Sequence, residues 1–167
     1  MTGSAQWLGQ VLAYSVFAAL VGLWSTWPAY QRIDAGQALI KMSFSHAGEH
    51  LQACKTLDPA EVARLAPNMR ANIDCPRGRV PLVVELVIDG EPVYQGRHEP
   101  TGLWGDGPSV VYEKFLVPAG DHRLEVRIRD SRRSTGFDYT HSAVVRLAEH
   151  QNLVIDFHGD SKGIRFY

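Results

Sequence analysis

Over residues 39–44, and again from residue 80 onward, the chain alternates apolar and polar positions with a period of two, the signature of strands with one buried face. The pattern predicts strands over 39–44, 82–88, 92–96, 109–117, 122–129, 138–147 and 152–158, with a short last one at 163–167. The cleanest case is 122–129, where Leu124, Val126 and Ile128 fall on one face and Arg123, Glu125, Arg127 and Arg129 on the other. Residues 82–88 (LVVELVI) are apolar on both faces except at Glu85, as expected of a central strand. Asp89-Gly90 follows at once, and both residue types tolerate positive φ, so a two-residue hairpin turn is expected. One short helix is predicted from Asp58 as N-cap with Pro59 in the first position, running to Leu65 and stopped by Pro67. Short strands with turns every 8–12 residues predict an antiparallel β-sandwich; a small barrel is the competing architecture.

The first thirty residues follow a different rule. Residues 7–27 (WLGQVLAYSVFAALVGLWSTW) hold no charge and would span roughly 31 Å as a helix at about 1.5 Å per residue. A bilayer core is about 30 Å thick. Trp7 at one end, with Trp24, Trp27 and Tyr30 at the other, matches the aromatic belts of a spanning helix, and Pro28 is expected to end it. A cleaved signal peptide is the alternative. It would want a basic leading segment, a shorter apolar core and small residues at the cut, whereas residues 1–6 have no basic residue and Ser25-Thr26-Trp27 is a poor cleavage site. Ser15, Ala18, Ala19 and Gly22 offer a small-residue stripe on which another helix could pack. The expected organisation is therefore an anchor at 1–30, a linker at 31–37, and a β domain at 38–167 bearing a helical and looped flap at 46–78.

Charge and cysteine content narrow the function classes. The 167-residue chain has a formal net charge of -1, so no basic field favours nucleic acid, and no nucleic-acid motif is present. Arg32 and Lys41 follow the apolar segment, which by the positive-inside rule points the domain to the cytoplasm. The only two cysteines, Cys54 and Cys75, point the other way, because an even pair in a β module is expected to form a disulfide in an oxidising compartment. We expect the inner membrane, a single pass and a periplasmic domain. The disulfide would close a loop of about 20 residues and stabilise by roughly 3 kcal/mol.

A rival use of the same cysteines is metal binding. His46, His50 and Cys54 stand at i, i+4 and i+8, one face if the segment is helical. With Cys75 they offer two imidazoles and two thiolates, a donor set for copper or zinc. Gly48 and the strand-like SFSHAG argue against that helix, and a disulfide would exclude the four-ligand site. Catalytic signatures are missing: no Ser stands in a G-x-S-x-G turn, and GLWGDGPS (102–109) is neither a Walker loop nor a dinucleotide fingerprint. Trp104 on that Gly-rich loop is a candidate contact anchor, and Arg123, Arg127 and Arg129 form a basic strand face for a partner or for anionic headgroups.

Two resemblances complete the reading. VPAGDHRLEVRIRD (117–130) resembles the closing hairpin of immunoglobulin-like modules such as PEGA and carboxypeptidase-regulatory-like domains, which implies an immunoglobulin-like sandwich. SFSHAG (43–48), Cys54, PNMR (67–70), DCPR (74–77), GLWGDGPS, GFDY (136–139) and LVIDF (153–157) together resemble an uncharacterised group of bacterial membrane-anchored proteins associated with respiratory oxidase genes. That likeness implies no catalytic residue. The expectation is a non-enzymatic, membrane-anchored binding module, an accessory or assembly factor of a membrane complex. Its partners are the lipid bilayer and subunits of that complex, with neither nucleic acid nor a small-molecule substrate. Copper or zinc delivery through His46, His50, Cys54 and Cys75 is the alternative.

Overall fold

A computed structural model describes residues 3–27, 33–159 and 163–167. The chain divides into two compact units, Met1–Asp34 and Ala35–Tyr167. The first holds helix α1 (Gly3–Thr26), which is long and apolar enough to cross a membrane and has no buried residue. Its last turn is closed by the Trp27 N–H on the Leu23 carbonyl at 2.9 Å. The expected stop at Pro28, the belt residue Tyr30, and Gln31 and Arg32 of the linker lie outside the described residues.

The second unit contains strands β1 (Gln37–His46), β2 (Lys55–Thr56), β3 (Ile73–Asp74), β4 (Leu82–Ile88), β5 (Glu91–His98), β6 (Ser109–Pro118), β7 (Gly120–Arg129), β8 (Tyr139–Leu147), β9 (Asn152–His158) and β10 (Gly163–Phe166). Helix α2 (Pro59–Arg64) and a 3-10 turn (Pro67–Met69) lie between β2 and β3. Two four-stranded sheets form the body, ordered β10-β9-β1-β6 and β5-β4-β7-β8; β2 and β3 make a small separate ribbon. Every paired ladder is antiparallel except β1 with β9, which run parallel with Leu39 opposite Asn152. Alternation cannot reveal strand direction, and no hairpin joins these two strands to impose one.

Why the sandwich forms is visible strand by strand. On β1, Ala38, Ile40, Met42 and Phe44 are buried while their neighbours are not. On β4 and β7, Leu82, Val84, Leu86, Leu124, Val126 and Ile128 are all fully buried. Leu153, Ile155 and Phe157 of β9 complete the same core. Each of these Leu, Ile, Val, Met and Phe side chains contributes about 1.5–3 kcal/mol through burial. On the outer face of the second sheet, Glu85 meets Arg127 at 3.2 Å, which explains a carboxylate within an apolar central strand.

The β4–β5 turn is built as its sequence demands. Asp89 and Gly90 both have positive φ, at 54° and 90°. Asp89 also locks the next hairpin: its carboxylate accepts the Arg123 N–H at 2.8 Å and His122 Nδ1–H at 2.7 Å. His122 Nε2–H donates to the Pro118 carbonyl at 2.8 Å. A ring donating from both nitrogens is an imidazolium. Accordingly the hydrogen bond to Asp89 raises the His122 pKa, and that to His122 lowers the Asp89 pKa.

Two outcomes follow. Leu86→Ala or Ile40→Ala should each cost about 2–5 kcal/mol in denaturant unfolding, against less than about 0.5 kcal/mol for Val110→Ala on the solvent face of β6. The His122 contribution is whole below its ordinary value of 6.5 and is lost as pH rises through the raised folded value. The Asp89 contribution is whole above 3.8 and is lost as pH falls through its lowered folded value. Thermal midpoints measured from pH 5 to pH 9 should therefore decline on the alkaline side, and His122→Gln should flatten that decline.

Candidate functional site

The chain enters the sandwich at the Gln37 end of β1, and the chemistry-bearing loops collect at the other end, beyond His46. Residues 47–81, 99–108 and 130–138 meet there. His46 closes β1 opposite Ser109. Its Nε2–H donates to Asp130 Oδ2 at 2.7 Å, with side chains only 18% and 13% exposed. The imidazole packs edge-on against Phe157, ring centres 4.8 Å apart, and Tyr139 packs on the same ring at 4.8 Å. The Tyr139 hydroxyl bonds Asp130; burial first, then the Asp130 and Glu49 charges, hold its pKa above the ordinary phenol value.

Gly48 lets the chain leave β1 here. A Cβ at this position would come within 2.5 Å of the Val80 carbonyl oxygen and 3.1 Å of that of Asp130. The Glu49 N–H then donates to the Asp130 carbonyl at 2.8 Å, and the Glu49 carboxylate accepts the Arg132 N–H at 3.2 Å. Asp138 accepts the N–H groups of Asp130 and Ser131 and pairs with Arg133. Arg79 is the hub of this end. Its guanidinium donates to the Gly48 carbonyl at 2.8 Å and the Asp106 carbonyl at 3.1 Å, and its backbone N–H to the Gly105 carbonyl at 2.8 Å. One side chain thus ties the exit of β1 to the Gly-rich loop. Neither Arg79 nor the His46–Asp130–Tyr139 chain stands out in the sequence. The only available signal was that SHAG, GFDY and GLWGDG all fall where strands end.

The flap is a thin layer. Asp58 caps α2 with a full capping box to Glu61, and no residue of α2 is buried. Cys54 and Cys75 are joined by a disulfide, 21 residues apart in sequence. The bridge between His50 and Arg79, and the Leu51 N–H on the Gly78 carbonyl at 3.1 Å, fasten its base. Leu57, Leu65, Met69 and Ile73, with Glu61 and Arg64, line an open hollow of about 430 Å³ in the flap.

Beside the flap, the Gly-rich loop is held by the Thr101 hydroxyl on the Pro108 carbonyl at 2.8 Å and the Gly107 N–H on the Thr101 carbonyl at 2.8 Å. It presents Leu103, 91% exposed, and Trp104, 66% exposed. Leu51, 55% exposed, adjoins them: a Cβ on Gly78 would lie 3.1 Å from Leu51 Cδ1 and 3.8 Å from the Trp104 carbonyl oxygen. Flap and loop therefore each leave apolar side chains exposed at this end of the domain.

The predicted site residues divide into groups. His46, His50 and Cys54 do not share a helical face, because β1 runs to His46 and the chain then turns at Gly48. His46 is committed to Asp130. His50, Cys54 and Cys75 do converge, with their ligand atoms within 4.8 Å of one another, but both sulfurs are consumed in the disulfide. The four-ligand set is thus replaced by three residues. Trp104 is presented at the loop end. Arg123, Arg127 and Arg129 lie on the outer face of the β5-β4-β7-β8 sheet, where Arg127 meets Glu125 at 2.8 Å and Glu85. Arg129 donates to the Ser134 and Gly136 carbonyls, both at 3.2 Å. Much of the expected basic face is therefore compensated within the domain.

Because nothing in α2 is buried, the disulfide is the main restraint on the flap. Reduction should expose residues 51–78 to protease first while the sandwich stays folded. The loss of global stability should stay below about 3 kcal/mol, the full chain-entropy value of such a loop.

Compared with known proteins, the chain matches no family model and no curated protein.

Proposed function

We propose that this chain is a non-enzymatic binding module held at the inner membrane by α1, with its sandwich on the periplasmic side. It would serve as an accessory or assembly factor of a membrane complex. The observation that carries the reading is the exposure of the apolar side chains Leu51, Leu103 and Trp104. Exposed aromatic and leucine side chains on a rigid, hydrogen-bonded loop are the usual anchors of a protein contact. The polar groups at this end support binding over chemistry: His46, Asp130, Tyr139, Glu49 and Asp138 are engaged in fastening loops to one another.

The disulfide supports an oxidising compartment. The respiratory character of the complex rests on the sequence resemblance alone. Trp104 is the central anchor of this reading. Arg123, Arg127 and Arg129, partly neutralised by Glu85 and Glu125, would supply long-range attraction during approach rather than anchoring contacts.

Extraction of native membranes in a mild detergent tests the reading. The wild-type chain should migrate with a larger membrane assembly, and Trp104→Ala or Leu103→Asp should weaken that association by about 30-fold, a hot-spot loss of about 2 kcal/mol. Arg127→Ala should leave it nearly intact at physiological salt. A wild-type chain that runs alone and monomeric from its native membrane would refute the proposal.

A further inference from the structure

The flap holds a constellation that the docking reading does not use. A ring nitrogen of His50 and the sulfurs of Cys54 and Cys75 lie within 4.8 Å of one another. His50 is exposed enough for a ligand to reach, as are both cysteines. Its Nδ1–H donates to the Pro76 carbonyl at 2.9 Å. Of the two tautomers of a neutral ring, that bond selects the one with its lone pair on Nε2, the arrangement typical of a metal-ligating histidine with an outer-shell partner. Beside the S–S bond, backbone pairing also draws the three residues toward one another. His50 bridges to Arg79, and Lys55 and Thr56 of β2 pair with Asp74 and Ile73 of β3, one residue beyond each cysteine.

We propose that His50, Cys54 and Cys75 form a thiol-gated site for a soft monovalent metal ion, Cu(I), which replaces the disulfide as the staple of the flap. Two thiolates and one imidazole suit Cu(I), whereas Zn(II) in a structural site asks for a fourth ligand. The gate is a two-electron exchange. A dithiol reductant gives two electrons and two protons to the S–S bond and leaves as its own disulfide. Cu(I) then displaces the two thiol protons and is held by two thiolates and the His50 imidazole. In the oxidised flap no thiolate exists and the site is shut. This proposal does not depend on the exposed Trp104 side chain.

The test uses the full chain in detergent micelles, reduced under argon, freed of reductant, and titrated with Cu(I) against a chromophoric Cu(I) chelator. Reduced wild type should take up one equivalent and the disulfide form none. Uptake should restore protease protection to residues 51–78, which reports order in the flap independently of affinity. Cys54→Ser should abolish uptake, and His50→Ala should weaken it by at least about tenfold, the minimum cost of disturbing a ligating histidine. His46→Ala and Trp104→Ala should bind like wild type, the first separating this site from a His46-containing one and the second from the docking surface. Four results would overturn the proposal: no uptake by the reduced chain, equal uptake by the oxidised chain, an unchanged affinity in His50→Ala, or a loss in His46→Ala. Retained cooperative unfolding of each variant's sandwich shows that a loss of uptake is local.

Discussion

The architecture depends on one constraint: the inward faces of β1, β4, β7 and β9 must remain dry together. Ile40 and Met42 on one sheet, and Leu86, Leu124 and Val126 on the other, are fully buried, and no polar side chain interrupts them. Because the side-chain period of a strand is two, burying one face dictates the outward direction of every intervening residue. That rule places Glu85, Glu125 and Arg127 together on one surface, where they neutralise one another. It also sets the height at which each strand ends, and so where the loops begin.

At the loop end, hydrogen bonding takes over from burial. The exits of β1, β5 and β7 bring backbone carbonyls of Gly48, Asp106 and Asp130 close together. Those carbonyls accept from the Arg79 guanidinium and the Glu49 N–H, and the Asp138 carboxylate accepts the Asp130 N–H. These polar side chains fasten the loops to one another. Rigidity achieved there allows Leu103 and Trp104 to stay exposed without collapsing onto the domain. The flap, by contrast, gains little from burial and relies on a covalent link and a short ribbon.

The strands were legible because alternation is a local property. The limits expected at 82–88, 109–117 and 152–158 lie within a residue of those observed. The helix cap at Asp58 and the turn at Asp89-Gly90 were equally local, each set by a residue type with one strong conformational preference. What remained hidden was contact across the sandwich. The partner of His46 is Asp130, 84 residues away, and no spacing rule encodes that pair. Arg79 looked like one cation in a polar loop because its acceptors are carbonyls, which every residue carries. The candidate ligands illustrate both halves. An i, i+4, i+8 spacing assumed a helix where β1 in fact runs to His46, yet His50 reaches the cysteines by a turn of the backbone instead.

The parallel ladder between β1 and β9 bears on how the protein is made. Leu39 pairs with Asn152, so the first strand of the domain cannot acquire one of its two neighbours until nearly all of the chain has been synthesised. Such sequence-distant pairing raises contact order and slows folding, typically into the range of about milliseconds to seconds. Throughout that interval β1 carries an unprotected row of N–H and C=O groups beside an apolar face. A nascent strand of this kind is a natural client for a chaperone during synthesis, and a premature stop before residue 152 would leave it permanently sticky.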